Sequence, residues 1–101
     1  KRALGFYADG RVSAFFGTHT HIQTADASIL PKGTGYITDL GMCGSEDSVL
    51  GVQPECIIRS LKTGMPTVFT AKEDNVFING CIFEIDESTG LTVKIDPIII
   101  R

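Results

Sequence analysis

The last third of the chain constrains the fold most. Residues 75–85 and 91–100 are two long runs rich in β-branched and aromatic side chains. Between them lies Asp86-Glu87-Ser88-Thr89-Gly90, a turn composition that ends in glycine. Two such runs about one turn predict an antiparallel hairpin. Asn79-Gly80 is also a hairpin-turn pair. A tight turn there would leave too short a strand before Gly90, so Asn79-Gly80 reads as a bulge or kink. Residues 67–70 make one further short stretch of strand character.

The first two thirds follow a different grammar. Ala3, Leu4, Tyr7 and Ala8 recur at helical spacing, which predicts a helix over residues 1–9 with these side chains on one face. Asp9-Gly10 closes it. Residues 12–16 are almost continuously apolar and are expected to form a strand buried on both faces. Residues 17–35 read as loop with at most a turn of helix, residues 35–40 as a second strand ended by Gly41, and residues 41–53 as loop. Pro54 suits the first turn of a helix. Ile57, Ile58 and Leu61 form its expected buried stripe, Lys62 sits in its last turn and Gly64 lies beyond its end. The resulting class is α/β, an α+β sandwich, in a single domain over residues 1–101.

Charge and cysteine content narrow the function. The net charge is −3 and the pI about 5.2, which argues against a general nucleic-acid or membrane-surface binder. A local positive site for a small nucleotide is compatible with that balance. No apolar run approaches the ~20 residues of a membrane span. Cys43, Cys56 and Cys81 show no CxxC spacing, and three is an odd number. They are expected as reduced thiols of a cytoplasmic protein.

The chain's two histidines both lie in Gly17-Thr18-His19-Thr20-His21, directly after the first expected strand. Residues two apart on an extended backbone point to the same side, so His19 and His21 are expected to present both rings to one spot. Ligands collect at the carboxyl ends of strands in open α/β sheets, and neutral imidazole is the commonest side-chain metal ligand. The bland alternative is a pair of loop histidines without a ligand. A transition-metal centre usually takes more than two protein donors. Asp26, Asp39 and Asp47 are the local candidates, with Asp39 at the end of the second strand equally readable as a turn residue binding its own loop. For Asp26 and Asp47 the turn reading is the stronger.

Residues 17–51, GTHTHIQTADASILPKGTGYITDLGMCGSEDSVLG, resemble the YmdB-like family of bacterial metallophosphoesterases. The resemblance extends from ALGFYADGRVSA to the FEIDESTGLTVKI tail and so covers essentially the whole chain. Cys43 stands in the GMCG loop where that family is expected to carry Thr. The resemblance implies a calcineurin-like β-sandwich with flanking helices, of which this chain is the C-terminal segment. It implies hydrolysis of phosphodiesters, notably 2′,3′-cyclic nucleotides, by a hydroxide activated between two divalent metals, iron or manganese. His19 and His21 match the family's closing HxH ligands, one for each metal.

The family's remaining ligands and its catalytic His lie on more N-terminal strands, and no motif here matches them. The chain alone is therefore expected to be inactive, with the N-terminal remainder of the same domain as its necessary complement. A small phosphodiester is the expected substrate, a homo-oligomer is compatible with the sequence, and no membrane partner is expected. Thr18, Thr20, Gln23 and residues 38–44 are candidates to line the substrate crevice. The competing readings are a catalytically silent α/β protein-interaction module and, third, a domain with one structural metal.

Overall fold

The computed structural model describes residues 1–101. In chain order it contains α1 (Arg2–Ala8), β1 (Ala14–Phe16), β2 (Ser28–Ile29), β3 (Gly35–Ile37), β4 (Cys43–Ser45), α2 (Pro54–Thr63), β5 (Val76–Ile85) and β6 (Thr92–Ile100). The chain divides into two compact units, one of Lys1–Met42 with Asn79–Ile99 and the other of Cys43–Ile78 with Ile100–Arg101.

The first unit is built on a three-stranded sheet in the order β1-β3-β2. β1 runs parallel to β3, with Phe15 opposite Tyr36, and β2 runs antiparallel to it. Being central, β3 is buried at every residue, and Tyr36 and Ile37 with Leu30 form the apolar core. Tyr36 stacks on Phe15 with ring centroids 5.7 Å apart. Above the ring lies α1. A Cβ on Gly5 would stand 2.5 Å from the Tyr36 ring, so the helix approaches this closely only because residue 5 has no side chain.

Gly5 therefore marks the packed face of α1, and the expected stripe of Ala3, Leu4, Tyr7 and Ala8 is not it. Tyr7 is 70% exposed. Apolar periodicity identifies side chains that share a face, but closest approach to the sheet is decided by steric room. β1 is likewise shorter than expected and not buried on both faces, since it lies at a sheet edge and Phe16 is exposed.

Buried polar groups join the end of α1 to the sheet. The Asp9 carboxylate accepts the N–H groups of Lys32 at 2.9 Å and Thr34 at 3.2 Å. The Thr34 hydroxyl donates to the Val12 carbonyl at 2.7 Å and accepts the Gly10 N–H at 2.8 Å. β6 is tied in at its start, where the Thr92 hydroxyl donates to the Ser13 carbonyl at 2.7 Å.

The hairpin expected over β5 and β6 is present. Its turn closes with Gly90 N–H to the Asp86 carbonyl at 2.7 Å and Asp86 N–H to the Leu91 carbonyl at 2.9 Å. β5 runs through Asn79-Gly80 without a turn.

In the second unit, β4 pairs antiparallel with the first residues of β5, Cys43 opposite Ile78 and Ser45 opposite Val76. A strand therefore lies within the 41–53 stretch expected as loop. Residues 67–70 form no strand; only the single bridge between Val52 and Ala71 follows. α2 starts at Pro54 and ends at Gly64 in the left-handed conformation, as its sequence signals indicate. Its apolar stripe is not buried: Leu61 is 80% exposed, and no α2 residue is buried.

Candidate functional site

The candidate site is the bend that follows β1. The Gly17 carbonyl, one residue beyond the end of β1, accepts the N–H of Leu40, three residues beyond the end of β3, at 2.8 Å. A Cβ at Gly17 would lie 2.5 Å from the Thr38 carbonyl oxygen and would collide with the Lys1 ammonium. Only glycine allows the chain to leave the sheet here.

The extended backbone stops at this point. Residues 19–22 form a bend, and His21 has φ +64°, in the left-handed region that few non-glycine residues occupy. The strand alternation expected to aim both rings to one side therefore does not continue through the motif. The bend sets their directions instead. His19 is exposed and His21 half-buried.

Beneath the bend lies a web of hydroxyls and carboxylates carried by Thr24 and Asp26 before β3, Tyr36 within it, and Thr38 and Asp39 after it. The Asp39 carboxylate is fully buried; it accepts the Thr20 N–H at 2.5 Å and the Gly41 N–H at 2.9 Å, with the Lys1 ammonium 4.0 Å away. Asp26 accepts the Thr24 hydroxyl at 2.7 Å, the Thr38 N–H at 3.1 Å and the Thr38 hydroxyl at 2.5 Å. The Tyr36 hydroxyl meets that of Thr38 at 2.9 Å, so the web continues into the core. Gln23 anchors the outgoing end of the bend, its amide donating to the carbonyls of Gly80 at 2.9 Å and Ile98 at 3.1 Å.

These contacts sort the sequence candidates. The amide of Gln23 and the hydroxyl of Thr38 are committed to holding the chain, which does not suit the substrate-lining role considered for them. Asp26 and Asp39 serve the loop around the histidines. Asp47 lies in the second unit, where its carboxylate accepts the Asn75 amide at 2.7 Å. His19 and His21 are left as exposed and half-exposed imidazoles on a supported bend. No cluster of three or more His, Cys, Asp or Glu side chains suited to a metal occurs in the chain. None of the three cysteines forms a disulfide. No helix is long and apolar enough to cross a membrane.

Burial pushes the Asp39 carboxyl up, but the N–H groups of Gly41 and Thr20, the Thr20 side chain and the Lys1 charge outweigh it and hold it below the usual carboxylate range. For Asp26 burial likewise acts upward, and the Thr38 and Thr24 hydroxyls with the Thr38 N–H more than offset it. A carboxyl lowered in the folded state stabilises fully above its unfolded pKa and loses that contribution as pH falls through its folded pKa. The melting temperature is accordingly expected to be insensitive to these groups above about pH 5 and to fall below about pH 4, the unfolded aspartate value. Asp26→Asn is expected to flatten this acid limb in a melting series from pH 2 to pH 7. An unchanged limb would show that Asp26 is not among the groups responsible.

Comparison with known proteins places this geometry in context. A family model described as "YmdB-like protein" matches residues 1–98. The chain is 53% identical over 101 residues to the 2′,3′-cyclic-nucleotide 2′-phosphodiesterase of Bacillus subtilis strain 168, covering all of this chain and 38% of that protein. A crystal structure described as a novel phosphatase, from Mycoplasma pneumoniae, superimposes with a TM-score of 0.91 at 42% identity, over 98% of this chain and 36% of the other. The crystal structure of a hypothetical protein from Thermus thermophilus gives a TM-score of 0.89 at 40% identity, over 98% of this chain and 38% of the other. The chain thus spans less than two fifths of the length of these relatives. It shares with the two solved structures a mixed β-sheet sandwich flanked by helices, the calcineurin-like fold expected from the sequence.

Proposed function

This chain belongs to the YmdB-like family, and we propose that the intact protein is a metal-dependent phosphodiesterase acting on 2′,3′-cyclic nucleotides. The observation that carries the reading is the 53% identity, across all 101 residues, to the Bacillus subtilis phosphodiesterase of that specificity. In this reading His19 and His21 each bind one of two divalent ions, iron or manganese.

The donor chemistry supports the assignment. Imidazole suits first-row transition metals, and both rings stand on a bend whose Thr20 N–H is held by the buried Asp39 carboxylate. Two imidazoles do not complete a centre, and the other donors would come from the part of the relatives' length that this chain does not span. Bound divalent ions would supply charge neutralisation at the phosphoryl oxygens and acidify a water. The contribution of this chain is to hold two imidazole nitrogen donors in place. Gly17 lets the backbone turn out of the sheet, Thr20 and Gly41 are fixed through Asp39, and Gln23 secures the exit of the bend. With bound metal charge to do the neutralising, no Lys or Arg cluster would be needed at the substrate, in keeping with the net charge of −3.

The test is hydrolysis of 2′,3′-cyclic AMP by the intact protein loaded with Mn²⁺ or Fe²⁺, alongside the 101-residue chain alone. Turnover by the intact protein and little by the chain are expected. Absence of turnover by the metal-loaded intact protein would overturn the phosphodiesterase reading. Robust turnover by the 101-residue chain would overturn the view that it supplies only two of the donors.

A further inference from the structure

Asp39 touches the imidazole-bearing bend at two places. Its Oδ2 accepts the Thr20 N–H at 2.5 Å across 19 residues of sequence, while Oδ1 accepts the nearby Gly41 N–H at 2.9 Å. Its main chain holds the far end: the Asp39 N–H donates to the Thr24 hydroxyl at 2.9 Å, and the Asp39 carbonyl accepts the Thr24 N–H at 3.1 Å. Thr20 lies between the two histidines, so the orientation of its peptide governs where both imidazoles leave the backbone. His21, one residue later, occupies the left-handed region, a conformation that persists where surrounding structure over-determines it.

A residue that merely closed its own turn would need only the Gly41 contact. The Thr20 and Thr24 contacts instead bracket the bend from beneath, with a side chain that is 0% exposed. Both carboxylate oxygens already accept main-chain N–H groups, which suits action through the backbone.

We propose that Asp39 is a positioning residue for the metal centre: by fixing the Thr20 peptide it presents His19 and His21 to divalent cations in a preset geometry. The proposal rests on the reading of these histidines as metal ligands. Groups that orient metal ligands without touching the metal typically contribute 10–100-fold to its affinity.

The experiment is a Mn²⁺ titration of the intact, metal-free protein, followed by calorimetry and by the electron paramagnetic resonance of bound Mn²⁺. Asp39→Asn preserves the shape of the side chain but has one acceptor oxygen where the carboxylate has two, so either Thr20 or Gly41 loses its partner. At least about tenfold weaker Mn²⁺ binding is expected, with the far-ultraviolet circular dichroism unchanged at the assay temperature. Thr24→Val removes the acceptor of the Asp39 N–H and is expected to weaken binding in the same direction. Wild-type Mn²⁺ affinity in a folded Asp39→Asn protein would overturn the proposal. Should Asp39→Asn not fold, unchanged affinity in Thr24→Val overturns it. His21→Ala is titrated in parallel. If it retains full Mn²⁺ binding, the ligand reading itself fails; if it loses metal while Asp39→Asn keeps it, only the positioning role fails.

Discussion

Replacing His21 by alanine in the intact protein is expected to lower kcat/KM for 2′,3′-cyclic AMP by at least about 10²-fold while leaving the melting temperature within a few degrees of wild type. Metal polarisation of a phosphoryl oxygen is worth several kcal/mol, and about 2.7 kcal/mol corresponds to 10² in rate. If His21 is a ligand, as proposed, its removal loosens the ion that would supply this term. The side chain is only half-buried on an irregular bend, so its loss empties no core cavity. A histidine serving only the fold makes the reverse forecast, a lower melting temperature with chemistry intact. Kinetics, metal content by elemental analysis and thermal melting on the same preparation separate the two. Near-normal turnover with two ions still bound would exclude His21 as a ligand.

Tyr36→Ala is expected to be the most damaging substitution for stability, at about 3–5 kcal/mol, the range for deleting a buried aromatic side chain. The ring is 0% exposed, stacks on Phe15, faces the backbone of α1 at Gly5 and lies 5.0 Å from the Arg2 guanidinium carbon. Its hydroxyl meets Thr38, which in turn donates to Asp26, so the deletion also loosens the web under the histidine bend. Against a typical domain stability of about 5–15 kcal/mol, such a loss leaves little or no reserve. Tyr36→Phe keeps the stacking and removes only the hydroxyl, and should cost about 1 kcal/mol. Urea unfolding of both variants in the intact protein provides the measurement. A Tyr36→Ala protein within about 1 kcal/mol of wild type would show that the ring is not the keystone of the first unit.

Where local chemistry decides the outcome, single residues and short patterns sufficed. Pro54 and Gly64 bound α2, Gly10 follows the end of α1, and the Asp86–Gly90 segment turns β5 into β6, because these sites obey backbone sterics that any tertiary context must respect. The GTHTH motif and its neighbours were enough to indicate the family, since ordered motifs carry more information than composition.

Packing was a different matter. The apolar stripes of α1 and α2 were visible, yet which face lies against what depends on groups distant in sequence, and the closest approach of α1 falls at Gly5, a residue with no hydrophobic signal. β4 is three residues long and contains a glycine, and it exists because β5 offers it hydrogen bonds. Asp39 was equally readable as a turn residue or a site residue; its contact with Thr20, 19 positions away, makes it both a loop anchor and the support of the histidine bend. Backbone conformation near a glycine or proline is set within a few bonds. The burial of a side chain and the partner of a carboxylate are set by where the chain returns in space, and only the tertiary structure contains that return.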